Sequence, residues 1–358
     1  MLERSIASNS VHPRSGDMSS TEPYAVEAHA TTPGIREWQT LPALAEPLAG
    51  EALPAWLHQS AASLDLPPGK LFFDEHDAKR LADLAWWRHP ETPFLARLAG
   101  RTGVALSVLQ SMTFSDWTPY PEIDEVTGRF ARQRVQRLSR QGVPTRRHSI
   151  CSQCIASDPR PYVRKVWTLG WMAICETHKC MLVSRCSSCH AGYFMPPMRH
   201  ESGYPPLSEH CRCGALIAEE GALAAHPLAL RLQTALCASR MSGAFHWPGM
   251  PALSCTVLVP LIDLIVGLVW IGSRKEIRDT VLARIETELA LSQRITGSPY
   301  DGLLLAAWVM SAWPDRAHAL SADLKVQPLR GQLLFWDHLP HETREQLRQL
   351  VASTDGGA

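Results

Sequence analysis

From residue 41 onward, large apolar side chains recur every three or four positions in stretches separated by short runs rich in Pro, Gly, Asp and Ser, a pattern that predicts helices joined by brief connections. In EALPAWLHQSAA, Leu53, Trp56, Leu57 and Ser60–Ala61 fall on one helical stripe, with Glu51 and His58 off it. In PFLARLAGRTGVALSVLQSMTF, one apolar face (Phe94, Leu95, Leu98) is followed by a break at Gly100–Gly103 and a second face (Val104, Leu106, Leu109, Met112). That is the pattern of a helix-turn-helix and equally of an ordinary helical hairpin, with Arg97 and Arg101 as the nearby positive charges. After Gly214 the helical period returns in HPLALRLQTALCASRM, KEIRDTVLARIETELAL, YDGLLLAAWVMSAW and HETREQLRQLVAS, punctuated by PGMP, GSPYDG and WPD. The most apolar run, TVLVPLIDLIVGLVWIG from Thr256 to Gly272, is slightly short for a bilayer and contains Pro260 and Asp263. A buried helix is expected there rather than a membrane span.

Two regions lack this period. Residues 1–35 are rich in Ser, Thr, Pro and Ala with few large apolar side chains, and read as a flexible tail. Residues 149–218 hold many Pro and Gly and few large apolar residues for a core of their own. The expected organisation is therefore a tail (1–35), an N-terminal helical, helix-turn-helix-like domain (36–148), a small cysteine-rich module (149–218) and a C-terminal helical domain (219–358). The fold class is mainly α with small β ribbons in the middle. No continuous apolar segment follows a basic start, so a secretory signal is not read, and a cytoplasmic location with no membrane contact is expected.

Composition sharpens this only locally. The 358 residues are 45% hydrophobic, enough to build real cores, and 35 basic residues balance 35 acidic ones, so net charge favours no partner. The segment GRFARQRVQRLSRQGVPTRRH is different: between Gly128 and His148 it carries seven arginines and no acidic residue. Such a run is either a solvated face or a contact for phosphates or another acidic partner, since each neutralised phosphate releases a condensed counterion. Its position immediately before the cysteine-rich module favours contact. Arg129, Arg132, Arg134, Arg137, Arg146 and Arg147 are the candidates.

The cysteines supply the chemistry. Cys151-x2-Cys154 precedes Cys175-x2-His178, and Cys186-x2-Cys189 precedes Cys211-x-Cys213, giving two successive quartets of soft or borderline ligands with similar loops between their pairs. Zinc takes four such ligands tetrahedrally, and closely spaced pairs let a tight turn aim two side chains at one ion. With every position filled by protein, no place remains for a catalytic water, so two structural Zn2+ sites are expected, paired consecutively rather than cross-braced. Disulfides would need an oxidising compartment, and a thioredoxin-like site would need one pair beside a βαβ unit. Cys180 breaks the repeated spacing and is left out. Cys237 and Cys255 are expected as small buried thiols, and His190 and His210 as solvent-facing.

The stretch CSQCIASDPRPYVRKVWTLGWMAICETHKCMLVSRCSSCH, with CRCGALI downstream, closely resembles the zinc-binding signature of the TniQ family, which includes the TnsD-type transposon target selectors. The matching positions are Cys151, Cys154, Asp158, Tyr162, Arg164, Trp167, Cys175, His178, Leu182, Cys186, Cys189, Cys211, Cys213 and Gly214. The segment LPALAEPLAGEALPAWLHQSAAS looks like the family's proline-rich lead into a Gly-Glu motif. The resemblance covers about residues 38–218. Ser152 and Ser187 stand where a proline often follows the first cysteine of a pair, and Lys179–Cys180 replaces a common Gly-containing stretch, which leaves the subfamily unassigned.

What the resemblance implies is a non-enzymatic transposition accessory protein that selects the DNA insertion site and recruits the transposon's AAA+ regulator. Some relatives read DNA directly, and others dock on a CRISPR effector complex with its guide RNA. Homodimerisation is left open. The absence of Walker, HExxH and GxSxG motifs agrees with a non-enzyme. The alternatives are a zinc-dependent DNA-binding regulator without a transposon role, and a metal-dependent nuclease.

Overall fold

The computed structural model describes residues 41, 44–72, 87, 90–115, 148–169, 171–193, 209–270, 273–296, 298–325 and 341–352. All belong to the unit Thr40–Ala358. The tail expected over 1–35 and the arginine run before His148 lie outside the described residues.

Near the N-terminus, helices α1 (Leu53–Ala62), α2 (Pro68–Phe72), α3 (Thr92–Thr102) and α4 (Leu106–Ser111) share one apolar core. Pro54 and Pro93 sit in the first turns of α1 and α3, where a missing backbone N–H costs nothing. Gly100 continues α3, and the break comes at Gly103, whose φ of 71° lets its N–H cap the Ala99 carbonyl. Phe94, Leu95 and Leu98 of α3 are buried together with Leu109 and Met112 beyond the turn, so the helical hairpin forms as the pattern predicts. Arg101 is committed to structure: its guanidinium donates to the Leu71 and Phe72 carbonyls at the end of α2, at 3.0 and 2.9 Å.

The single stripe read for α1 is too narrow. Glu51 and His58 are 0% and 6% exposed, as buried as Trp56 and Leu57. For Glu51 the reason lies far along the chain. Arg160 donates to both carboxylate oxygens of Glu51, at 2.8 and 2.7 Å, and also to Gln59 Oε1 at 2.6 Å. A long-range partner of this kind leaves no periodic signal.

In the C-terminal region, α6 (Pro227–Ser242), a two-residue antiparallel hairpin of β1 (Ala244–Phe245) and β2 (Leu253–Ser254), α7 (Cys255–Trp270), α8 (Lys275–Glu288), α9 (Pro299–Met310), α10 (Asp315–Asp323) and α11 (His341–Ala352) follow in order. Helix α9 is the axis. Each residue from Tyr300 to Met310 is buried, and it packs against α6, α7 and α10. Its start is fixed by a capping box in which Ser298 Oγ accepts from the Asp301 N–H at 3.2 Å and Asp301 Oδ2 accepts from the Ser298 N–H at 2.8 Å. Gly302 allows the close approach of α7, because a Cβ there would lie 3.2 Å from Val266 Cγ2. The apolar run is α7, with Leu258, Leu261, Ile265 and Val269 buried against this axis. Among the described residues no helix is long and apolar enough to cross a membrane.

Between the two helical groups the expected β ribbons reduce to isolated bridges, among them Ile150 with Val183, Ile174 with Met181, Arg185 with Gly192 and His210 with Leu216. The stretch is expected to hold too few large apolar residues for a core of its own, and its buried residues join a larger one. Ile150, Ile155, Trp167, Trp171, Met172, Ile174 and Ile217 are buried in a core continuous with the flanking helices.

Candidate metal centres

The first cluster starts at a helix end. Cys151 is the N-cap of the short helix α5 (Ser152–Ser157), where its Sγ accepts from the Cys154 N–H at 3.4 Å. The second knuckle repeats the device, with the His178 N–H directed at Cys175 Sγ at 3.4 Å. Lys179, with φ of 53°, turns the chain back so that its N–H reaches the Cys175 carbonyl at 2.8 Å. These turns bring four ligand atoms together: His178 Nδ1 lies 3.5, 3.3 and 3.7 Å from the sulfurs of Cys151, Cys154 and Cys175, and the Cys154 and Cys175 sulfurs are 3.6 Å apart.

In the second cluster, the Cys186 and Cys213 sulfurs are 3.8 Å apart and those of Cys189 and Cys211 3.7 Å. The quartets are consecutive, not cross-braced, and within each all ligand atoms lie within 4.8 Å of one another. A tetrahedron with metal–sulfur bonds of about 2.3 Å and metal–nitrogen bonds of about 2.0–2.1 Å has S–S edges of about 3.8 Å and S–N edges of about 3.6 Å. Both donor sets fit that figure, and both are suited to hold a metal ion. Cys180 stays outside the first quartet, although its sulfur lies 3.5 Å from that of Cys151.

The thiols of the first cluster are pushed in opposite directions. In the first cluster the hydrogen bond with Cys151 holds the Cys175 thiol down at about 4, while burial and the neighbouring Cys175 charge push Cys154 up to about 12. The hydrogen bond with Cys175 and burial drive Cys151 well above the ordinary thiol range. A divalent cation takes cysteine ligands as thiolates, so its binding would displace thiol protons. Burial likewise pushes Cys211 up to about 12 in the second cluster.

A shell of side chains orients these ligands. Arg164 makes a two-pronged pair with Asp158, at 2.9 and 3.0 Å, and its guanidinium is 4.6 Å from the Tyr162 ring centre and 4.8 Å from that of Trp167. Its charge favours the Cys154 thiolate. The Asp, Tyr, Arg and Trp of the signature are therefore one packed unit beside the first cluster.

The Gly-Glu lead meets the same unit. Glu51 bridges Arg164 in the backbone, with the Ala52 N–H on the Val163 carbonyl and the Lys165 N–H on the Gly50 carbonyl, each at 2.8 Å. The Lys165 ammonium, nearly buried, donates to the Thr113 carbonyl at 2.7 Å. From the other side, Gln233 of α6 accepts from the Ala173 and Ile174 N–H groups at 2.9 Å and donates to the Ile174 carbonyl at 2.8 Å, just ahead of Cys175. In the second cluster Glu220 accepts from the Ser187 N–H at 2.8 Å and from the Tyr193 hydroxyl at 3.1 Å.

Glu51, Arg160, Gln233 and Glu220 were not singled out as site residues in the sequence. The one available signal is a polar residue in an apolar helical stretch, as Gln233 is in LALRLQTAL. His190 and His210 are exposed as expected. Cys237 is not the buried thiol expected, being half-buried with its S–H directed at Glu176 Oε1 at 3.1 Å. For Cys255 the helix is described but not its side chain. Arg129, Arg132, Arg134, Arg137, Arg146 and Arg147 lie outside the described residues.

The family model for TniQ matches residues 42–182, from the proline-rich lead through the complete first cluster. Residues 42–182 are a TniQ-family segment. No individual curated protein matches the chain. The two stretches that carry the TniQ resemblance, far apart in sequence, are the ones joined by the Glu51–Arg164 bridge and the Glu51–Arg160 ion pair.

Proposed function

We propose that this chain is a non-enzymatic transposition accessory protein that selects the DNA target and recruits the transposon's AAA+ regulator, by binding DNA directly or by docking on a CRISPR RNA-guided complex. Its two clusters hold structural Zn2+ through Cys151, Cys154, Cys175 and His178, and through Cys186, Cys189, Cys211 and Cys213. The observation that carries this reading is the TniQ segment closing on a quartet with tetrahedral spacing. Bound zinc would supply folding free energy and rigidity, not a reactive water, because four protein donors complete each coordination sphere. A zinc with three thiolates and an imidazole keeps one negative charge, and Arg164 is placed to offset it. Nucleic-acid contact is assigned to Arg129, Arg132, Arg134, Arg137, Arg146 and Arg147.

The test is a titration of the full chain, and of a variant with those six arginines changed to Gln, onto duplex DNA over a salt series, with and without the cognate AAA+ ATPase. The variant is expected to bind more weakly, its log–log salt slope shallower by up to about five. The ATPase is expected to be retained on DNA only when the chain is present. Equal slopes would show the arginines to be a solvated face. DNA binding with no effect on the ATPase would favour a stand-alone regulator, and magnesium-dependent nicking of supercoiled DNA would favour a nuclease.

A further inference from the structure

The two clusters use similar knuckles but sit in different surroundings. In the first, Cys151, Cys154 and Cys175 are 0%, 1% and 2% exposed, and Gln233, Arg164 and the Gly50–Ala52 backbone lie against the segments that carry them. In the second, only Cys186 is buried; Cys211 is half-buried, and Cys189 and Cys213 are exposed. Ser187, Ser188, Arg212 and Gly214, which flank those sulfurs, are exposed as well. Arg185 and Arg212, each next to a cysteine of the cluster, are exposed too. What anchors this cluster is one side, through Glu220, Ser187 and Tyr193.

We propose that the second cluster is a modification site: its thiolates react with hydroperoxides and release their metal while the first cluster stays loaded. The inference rests on the reading of both clusters as zinc sites and adds that they differ in reactivity. With hydrogen peroxide, the Cys189 thiolate attacks one peroxide oxygen and breaks the O–O bond, forming a sulfenic acid and expelling hydroxide. The Cys211 thiolate, its sulfur 3.7 Å away, then displaces a second hydroxide from that sulfur and closes a disulfide. Two electrons pass from the thiolate pair to the peroxide, which leaves as two hydroxide ions. With two of four ligands consumed, the site no longer holds its cation. Cys213 and Cys186, 3.8 Å apart, offer the same route. The first cluster lacks the entry step, because its three sulfurs are closed off from solvent.

The test uses the full-length zinc-loaded chain, its metal content first fixed by elemental analysis. Hydrogen peroxide is added in the presence of a chromogenic zinc chelator, and cysteine oxidation is mapped by mass spectrometry at intervals. About one metal equivalent is expected in a fast phase, with the second at least about tenfold slower because it needs the buried region to open. The fast phase should oxidise Cys189, Cys211, Cys186 and Cys213 and leave the helical circular dichroism unchanged. Release of both equivalents in one phase, or earlier oxidation of Cys151, Cys154 or Cys175, would overturn the inference. A starting content of one equivalent or less would instead sink the zinc reading beneath it. A Cys189→Ser, Cys213→Ser double variant that still folds should lose the fast phase, and a fast phase that persists in it would also overturn the inference.

Discussion

Arg164 shows how one side chain can serve a metal centre without touching it. Its guanidinium satisfies Asp158 with two hydrogen bonds, fills the space between two aromatic rings and puts a positive charge beside Cys154. A lysine supplies only the last of these, because its ammonium has no planar fork and does not stack. Arg164→Gln should lower stability by about 2 kcal/mol, since Asp158 then loses its partner in a half-closed setting. Zinc affinity should fall about tenfold with it, as expected when a group that orients ligands is removed. A denaturant titration and a competition titration with a zinc chelator measure the two effects. If both stay unchanged while DNA binding drops, Arg164 faces nucleic acid and not the metal centre. The two quartets were legible in the sequence because closely spaced pairs, three with a two-residue gap and one with a single residue between, let a tight turn aim two side chains at one point. Glu51 was misread as lying off the buried stripe because its partner, Arg160, is more than a hundred positions away.

At the scale of elements, α6 matters more than its apolar face suggests. Gln233 takes the place of a neighbouring strand, serving two N–H groups and one carbonyl of the Ala173–Ile174 segment that leads into Cys175. Gln233→Met keeps the volume and strands all three groups, so a loss of about 2–4 kcal/mol is expected in a denaturant titration. A change under about 0.5 kcal/mol would mean that the α6 contact is incidental to the knuckle. The helices were readable because propensity, period and punctuation agree: Pro at the first turn of α1, α3 and α9, Gly after α3 and α6, and the capping box of α9. Ribbons were expected and isolated bridges found, because the knuckle turns and shared core position the ligands with little strand pairing.

For the whole molecule, the cysteine-rich stretch is packed between partners drawn from both sides in sequence: Glu51, Gln59 and Thr113 before it, and Gln233 after it. Such a stretch acts as a brace, so recognition chemistry is to be sought on the surfaces it holds and not at the metal. The TniQ resemblance was legible because the signature residues are those that build the brace. The finer choice of target and partner is not written there, since a brace of this kind serves any surface attached to it. The central claim is that two closed, all-protein tetrahedra build this brace, and X-ray absorption at the zinc edge tests it on the full chain. The account predicts two zinc ions per chain and a first shell averaging about seven sulfurs to one nitrogen at tetrahedral distances. A resolved oxygen shell from bound water, or a single zinc per chain, would contradict it.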